Sequence, residues 1–320
     1  MRSENSTTYY SNGKLLLTGE YVVLDGALAL ALPTKYGQSL TLTEIKPRQL
    51  QWKSLDEKGH SWFETTIDTA IFEKYAALEP ERAVETTSDS ETARTLLHIL
   101  AAARKQNPAF LQPDKGYAVT TKLNFPRSWG LGSSSTLINN IAQWGKIDAY
   151  RLLWDSFPGS GYDIACAQYH RPLLYRLKNE KPVVQPASFY PPFTEALYFI
   201  HLKKKQNSRE GIQRYRGIKK DKTGVIYAIS GFTEKIAVTS HIAEFETLLT
   251  EHETLMASLL ELPKVKDRLF PDYFGIIKSL GAWGGDFILA TGHADTPGYF
   301  KRKGFTNVIP YRDMVLGKGV

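Results

Sequence analysis

Cysteine is all but missing: Cys166 is the only one in 320 residues. No disulfide can form within the chain, which fits the reducing conditions of a cytoplasmic protein. No apolar run reaches the roughly 18 residues that a membrane-crossing helix needs. The opening Met1-Arg-Ser-Glu-Asn-Ser-Thr-Thr8 lacks the apolar centre of a signal peptide, so no membrane partner is expected. There are no internal repeats and no low-complexity tracts. The P-loop signature is also absent, because no Gly-Lys-Ser/Thr follows the glycine-rich segment. The charge balance is basic, with 40 Lys and Arg against 33 Asp and Glu, a net charge of +7. These cations are scattered, the densest group being Lys203-Lys204-Lys205, and no aromatic and basic platform accompanies them. A nucleic-acid partner is therefore not expected; a basic surface or anionic small molecules account for the excess.

Apolar residues make up 42% of the chain and charged residues 23%, as in an ordinary globular protein, and the length suffices for two cores. Its most informative stretch is Pro126-Arg-Ser-Trp-Gly-Leu-Gly-Ser-Ser-Ser-Thr136. Before it, Tyr117, Val119, Thr121, Leu123 and Phe125 alternate onto one face, which predicts a strand. After it, Leu137–Trp144 carries apolar residues at helical spacing. A glycine-rich turn thus joins a strand to a helix. Gly130 and Gly132 allow close approach of the backbone, while Ser133, Ser134 and Ser135 offer hydroxyls at the helix start. Unpaired N–H groups and the positive end of the dipole lie there too, a natural phosphate site. The alternative is a serine-capped helix after a plain turn.

Elsewhere the pattern predicts strands at Lys14–Thr18, Gln38–Thr43, around Gln51–Trp52 and Trp62–Ile67, and at Pro172–Leu177 and Ala196–Leu202. Ser88-Asp-Ser-Glu91 reads as a capping box opening a helix to about Lys105, with Leu96, Leu97, Leu100 and Ala103 facing the core. A short helix is expected over Asp148–Trp154. In Pro158-Gly-Ser-Gly-Tyr-Asp-Ile-Ala165, two glycines force a turn and Asp163 opens a helix through Tyr169, where an aspartate commonly serves as N-cap. Cys166 has no histidine neighbour to activate it and reads as a buried helix residue. Ser208 is placed to cap a helix to about Arg216. Further helices are expected within 229–243 and 244–260, strands at Phe274–Ile277 and Phe287–Thr291, and a closing helix from Asp295. The proline-rich stretch Pro182–Pro192 reads as a loop and the domain boundary, giving domains of 1–185 and 186–320.

Three stretches, in order, resemble the motifs of the GHMP kinases, named for galacto-, homoserine, mevalonate and phosphomevalonate kinases. Pro126-x-x-x-Gly-Leu-Gly-Ser-Ser134 resembles their ATP-binding motif. Asn12-Gly-Lys-Leu-Leu-Leu-Thr-Gly-Glu-Tyr-Val-Val-Leu-Asp-Gly26 looks like the amino-terminal motif in its mevalonate and phosphomevalonate kinase form. Galactokinases have arginine in place of Lys14. Lys278-Ser-Leu-Gly-Ala-Trp-Gly-Gly-Asp286 resembles the third motif, with Trp283 in place of a glycine and Leu280 in place of a small polar residue. Gly159-Ser-Gly-Tyr-Asp-Ile-Ala165 stands where the mevalonate and phosphomevalonate kinases carry a catalytic aspartate.

The resemblance implies a two-domain α/β (α+β) GHMP kinase fold, the N-terminal domain ribosomal-protein-S5-domain-2-like and the C-terminal one ferredoxin-like. It implies transfer of the γ-phosphate of ATP to a hydroxyl, with ATP and Mg²⁺ as cofactors. Asp163 and Lys14 would be catalytic. Gly130, Leu131, Gly132, Ser133, Ser134 and Ser135 would hold ATP, with Ser134 also on the metal. Glu20, Ser208, Gly281 and Ala282 would face the substrate. The glutamate that helps hold Mg²⁺ in mevalonate kinases has no evident counterpart, Asp155 being the nearest candidate. Mevalonate is the favoured acceptor, with phosphomevalonate, a sugar, or a ligand-binding homologue without catalysis as alternatives. The only other expected partner is a second copy of the chain, in a monomer or homodimer.

Overall fold

The structure is a computed structural model that describes residues 6–74, 85–86, 90–204 and 208–317. Its contacts group the chain into two compact units. Unit one comprises the described residues of Met1–Asn12, Tyr36–Arg127 and Gly132–Gly159; unit two comprises those of Gly13–Lys35, Ser128–Leu131 and Ser160–Val320. This grouping differs from the division expected at 185/186, because residues of the amino-terminal motif fold with the carboxy-terminal half.

In unit one, β1 (Ser6–Leu16) pairs with the long β2 (Ala29–Ile45), β1 beginning there and β2 ending there. Beyond β2 the strand order continues through β6 (Gly116–Leu123) and β3 (Gln49–Leu55) to β4 (Ser61–Asp68) and the short β5 (Glu85–Thr86). The β3–β6 pair is parallel; β2–β6 and β3–β4 are antiparallel. Tyr117, Val119, Thr121 and Leu123 of β6 are buried, the face that the alternation predicted. A short α1 (Ile71–Lys74) follows β4. The helices α2 (Ser90–Gln106), α3 (Ser133–Gly145) and α4 (Ala149–Ser156) pack on one another. Leu96, Leu97, Leu100 and Ala103 of α2 are buried as the helical spacing requires. The capping box falls partly on Ser88 and Asp89, which lie outside the described residues.

In unit two the first residues of β2, Ala29–Ala31, pair with β7 (Leu173–Lys178), and β7 with β8 (Lys181–Pro186). The expected loop at Pro182–Pro192 is therefore corrected: its first half is a strand. β8 ends the strand order, where a proline costs no ladder hydrogen bond. A separate four-stranded sheet has the order β10 (Ile277–Ser279), β11 (Phe287–Thr291), β9 (Leu197–His201), β12 (Val308–Pro310). Its neighbours are all antiparallel. Taken in chain order, these strands stand second, third, first, fourth. The helices α6 (Ser208–Gly217), α7 (Thr223–Ile236), α8 (Ile242–Leu260) and α9 (Val265–Leu269) lie between the first and second strands. The helix α10 (Thr296–Arg302) lies between the third and fourth, which is the ferredoxin-like β-α-β-β-α-β pattern, and α11 (Tyr311–Met314) follows.

Every residue of β9 and β11 is buried. Tyr198, Ile200, Ile288 and Ala290 form one core with Phe270, Tyr273 and Phe300. A second core joins Val22 and Ala27 to Tyr215, Ile229, Met256, Leu259 and Trp283. It is this apolar packing that draws residues 13–35 into unit two. Among the described residues, no helix is long and apolar enough to cross a membrane.

Candidate active site

The glycine-rich turn has the backbone that its glycines allow. Gly130 has φ +64° and Gly132 φ +89°, both in the left-handed region. Gly132 is the N-cap of α3. A Cβ on Gly130 would lie 2.1 Å from Oδ2 of Asp286, so the turn can approach that carboxylate only without a side chain. Within unit two, Lys14 N donates to Leu131 O at 3.0 Å, and the His201 ring nitrogen Nε2 lies 3.2 Å from Ser128 O. Trp129 packs edge-on against Phe287. Beyond the turn, within unit one, the hydroxyl of Ser135 donates back to Gly132 O at 3.1 Å, while Ser134 is exposed. The first N–H groups of α3 have no carbonyl four residues earlier within the helix, and they meet a favourable dipole end for an anion. Of the three serines, Ser135 thus braces the turn, and Ser133 and Ser134 are better placed to meet a ligand.

In unit two the chain folds Lys14 and Asp163 toward each other, although they are distant in sequence. Gly161, at φ +91°, is the N-cap of α5 (Tyr162–Gln168). Asp163 is therefore the second helical residue, and the N-cap role expected for it is corrected: a left-handed glycine already fills that place. Burial alone would lower the pKa of the Lys14 ammonium, but Tyr162, Asp163 and Asp286 offset this and hold it above the usual lysine range. Its Nζ also sits 5.7 Å from the centroid of the Tyr162 ring. Burial pushes the Tyr162 phenol up to about 12, with Asp163 adding to the rise and Lys14 opposing it. At neutral pH the group is thus a lysine cation, a neutral phenol and the side chains of Asp163 and Asp286. Cys166 is fully buried and its thiol is pushed well up by burial and by Asp163, so it stays an inert thiol.

Glu20 has quite different surroundings. It is 1% exposed, and Lys278, at 0%, is hydrogen-bonded to it. Lys278 also lies 3.3 Å from Glu253 and donates to Ser279 O at 2.5 Å. Glu253 accepts from Ser279 Oγ at 2.7 Å, and Gly19 N donates to His252 Nε2 at 3.1 Å. Burial, together with Lys278, holds His252 well below the usual histidine range, so it is neutral. Glu20, expected on the substrate side, is thus enclosed by protein groups, and its role here is to join the amino-terminal motif to α8 and β10.

The third motif forms the turn between β10 and β11. Gly281 and Gly284 have φ +64° and +71°. Trp283, the departure from the family pattern, turns into the core beside Met256 and Leu260; its Nε1 donates to Pro263 O at 3.1 Å. Its backbone N–H donates to the Tyr21 hydroxyl at 3.0 Å. Ala282, Trp283 and Gly284 then line a pocket of about 260 Å³ whose other walls come from Tyr21, Lys204, Glu210, Gly211, Arg214, Leu260, Leu262, Pro263 and Arg268. Ala282 is thus on a cavity wall as expected, whereas Gly281 is not among the lining residues. Ser208 begins α6, which supplies part of the wall, but its side chain lies outside the described residues. Sequence reasoning missed Tyr162, Asp286, Arg214 and Arg268. Only Asp286 carried a signal, as the acid that directly follows the glycines of the third motif.

The described residues hold no group of three His, Cys, Asp or Glu side chains able to cage a metal. Mg²⁺ usually binds through one or two carboxylates together with substrate phosphates, so it does not require such a cage. Asp155, in unit one, lies 3.9 Å from Arg151 on the next turn of α4.

No protein-family model matches the sequence. No curated protein matches it either. Solved structures do match. Methanococcus jannaschii mevalonate kinase aligns with a TM-score of 0.67 at 16% identity, covering 95% of this chain and 95% of that one. Streptococcus pneumoniae phosphomevalonate kinase, in complex with phosphomevalonate and AMPPNP, aligns at 0.63 and 16% identity over 97% and 98%. Lactococcus lactis galactokinase, complexed with galactose, aligns at 0.61 and 12% identity over 93% and 88%. The chain has the GHMP kinase fold. The likeness runs over nearly its whole length, with both sheets included.

Proposed function

We propose that the chain is an ATP-dependent small-molecule kinase that transfers the γ-phosphate of ATP to a hydroxyl of a small hydroxy acid. The observation that carries this reading is the grouping of Lys14 with Asp163 in unit two. The same lysine's backbone N–H holds Leu131 of the glycine-rich turn. Phosphoryl transfer needs charge neutralisation, in-line positioning and a route for the proton of the nucleophile. The first-turn N–H groups of α3, with Ser133 and Ser134, would hold the phosphates of ATP, and Mg²⁺ bound with the nucleotide would supply charge neutralisation. Asp163 orients the acceptor hydroxyl and takes its proton. Lys14 offsets the negative charge of the phosphoryl group in flight.

Mevalonate is the acceptor that the form of the amino-terminal motif favours, and this supports a place in isoprenoid precursor synthesis in the cytoplasm. Phosphomevalonate is the second reading, favoured by the excess of cations on the pocket wall. The test is ADP release with a panel of mevalonate, phosphomevalonate and neutral sugars, using the wild-type protein and Asp163→Asn. Turnover with an acid acceptor is expected, and the variant should keep its fold and ATP affinity while losing roughly a hundredfold or more in kcat. Because Gly161 is the cap, a loss of stability is not expected to accompany it. Near-wild-type turnover in the variant would remove Asp163 as the base.

A further inference from the structure

Several cations of unit two are paired with carboxylates. Lys220 lies 2.6 Å from Glu261, Lys222 3.5 Å from Asp25 and Lys264 3.7 Å from Asp267. Lys278 is enclosed by Glu20 and Glu253. Among the described residues, no carboxylate stands within ion-pair distance of Lys204, Arg214 or Arg268, although all three line the same pocket. Among the described lining residues, Glu210 is the only acidic group. Three cations and one carboxylate leave two positive charges facing one small cavity. Like charges sharing a concave surface repel each other and raise the local potential, and an entering anion removes that cost.

We propose that this pocket is an anion subsite that binds a phosphomonoester group of the acceptor, with Arg214, Arg268 and Lys204 as its charged contacts. A phosphomonoester carries about 1.5 to 2 negative charges at neutral pH, matching the excess; a lone carboxylate carries one. The planar forks of two arginines suit a tetrahedral group with several acceptor oxygens. Tyr21 adds a neutral donor. Burial raises its pKa, and its oxygen accepts from Trp283 N, so the hydroxyl keeps a proton to donate. Trp283 and Ala282 also line the pocket, so the third motif's departure from the family pattern shapes this subsite. The inference rests on the kinase reading only in assigning the phosphate to an acceptor; the anion site stands on the pocket itself.

The test measures binding by calorimetry in the absence of ATP, with phosphomevalonate, mevalonate and inorganic phosphate as probes. The proteins are wild type, Arg214→Gln, Arg268→Gln and the double variant. Phosphomevalonate should bind wild type about tenfold tighter than mevalonate or better, and each substitution should weaken it by roughly tenfold, as expected for a charge-assisted contact. Mevalonate affinity should move by less than about twofold, and thermal midpoints should stay level because both arginines are exposed. Inorganic phosphate should compete with phosphomevalonate and lose its binding in the double variant. Equal affinity for the two acids in wild type, equal weakening of both by the substitutions, or no binding of any probe would overturn the subsite. ADP release separates the two readings. Arginine-dependent binding without turnover on any acceptor leaves the subsite standing and removes the kinase. Turnover whose KM ignores both arginines does the reverse.

Discussion

Two lysines of unit two meet carboxylates in opposite surroundings. Lys278 is fully enclosed, with Glu20 and Glu253 on either side and Ser279 completing its contacts. Lys14 is half-buried, facing Asp163, Asp286 and the Tyr162 ring at the edge of the glycine-rich turn. Both clusters draw a residue from the same amino-terminal motif, Glu20 for one and Lys14 for the other. In the enclosed cluster each charged side chain meets a protein group of opposite charge, so its charges hold elements together. In the open cluster the lysine and the aspartate keep a side toward solvent, so they can serve a reacting group. Access to solvent, more than residue type, separates a fastening from a candidate catalyst.

Breaking the enclosed cluster should have the largest effect. Lys278→Met leaves the Glu20 and Glu253 side chains buried without their cation, and the expected loss of stability is about 3–5 kcal/mol, measurable by urea unfolding. A loss below about 1 kcal/mol would mean that water reaches the cluster and that the contrast with Lys14 is false.

Lys14→Met tests the other side. Its stability cost should be well below that of Lys278→Met, while turnover on the active acceptor should fall by roughly a hundredfold. Paired with Asp163→Asn, the combined loss should be smaller than the product of the single losses, because residues acting as a unit are not additive. Multiplicative losses in the double variant would show that the two side chains work separately.

The last expected effect is a pH slope. Burial lifts the Glu20 carboxyl from its ordinary 4.5 to about 7, against the pull of Lys278. A carboxyl raised in the folded state binds its proton more tightly there, so its contribution to stability is complete below about pH 4.5 and is lost as pH rises through about 7. Glu20→Gln cannot titrate. Wild-type stability should therefore fall relative to this variant between pH 4.5 and 7, as read by urea unfolding at several pH values. A difference that stays flat across this window would mean that Glu20 is ionised throughout.

Local patterns carried much of the architecture. Alternation placed β6, helical spacing placed α2, and the glycines at 130, 132 and 161 marked turns that need left-handed backbone. Strong periodicity survives in any tertiary setting. Errors arose where a local rule met a longer-range one. Prolines at 182 and 186 suggested a loop, but an edge strand tolerates them. Asp163 looked like a cap, but Gly161 took that position. α7 begins at Thr223, ahead of the expected residue 229.

By itself the sequence determined which residues could do chemistry: a glycine-rich turn before a serine-started helix, a lysine after a glycine, an aspartate in a tight turn. Only the tertiary structure decided their company. It brought Lys14 to Asp163, set Asp286 against Gly130, closed Lys278 over Glu20, and turned Trp283 into the core while leaving Arg214 and Arg268 at a pocket with no carboxylate partner among the described residues. The reason is physical. Backbone preference and periodicity act over a few residues and are written locally. Burial, which decides whether a charge is a structural tie or an exposed reagent, depends on what the rest of the chain packs against it.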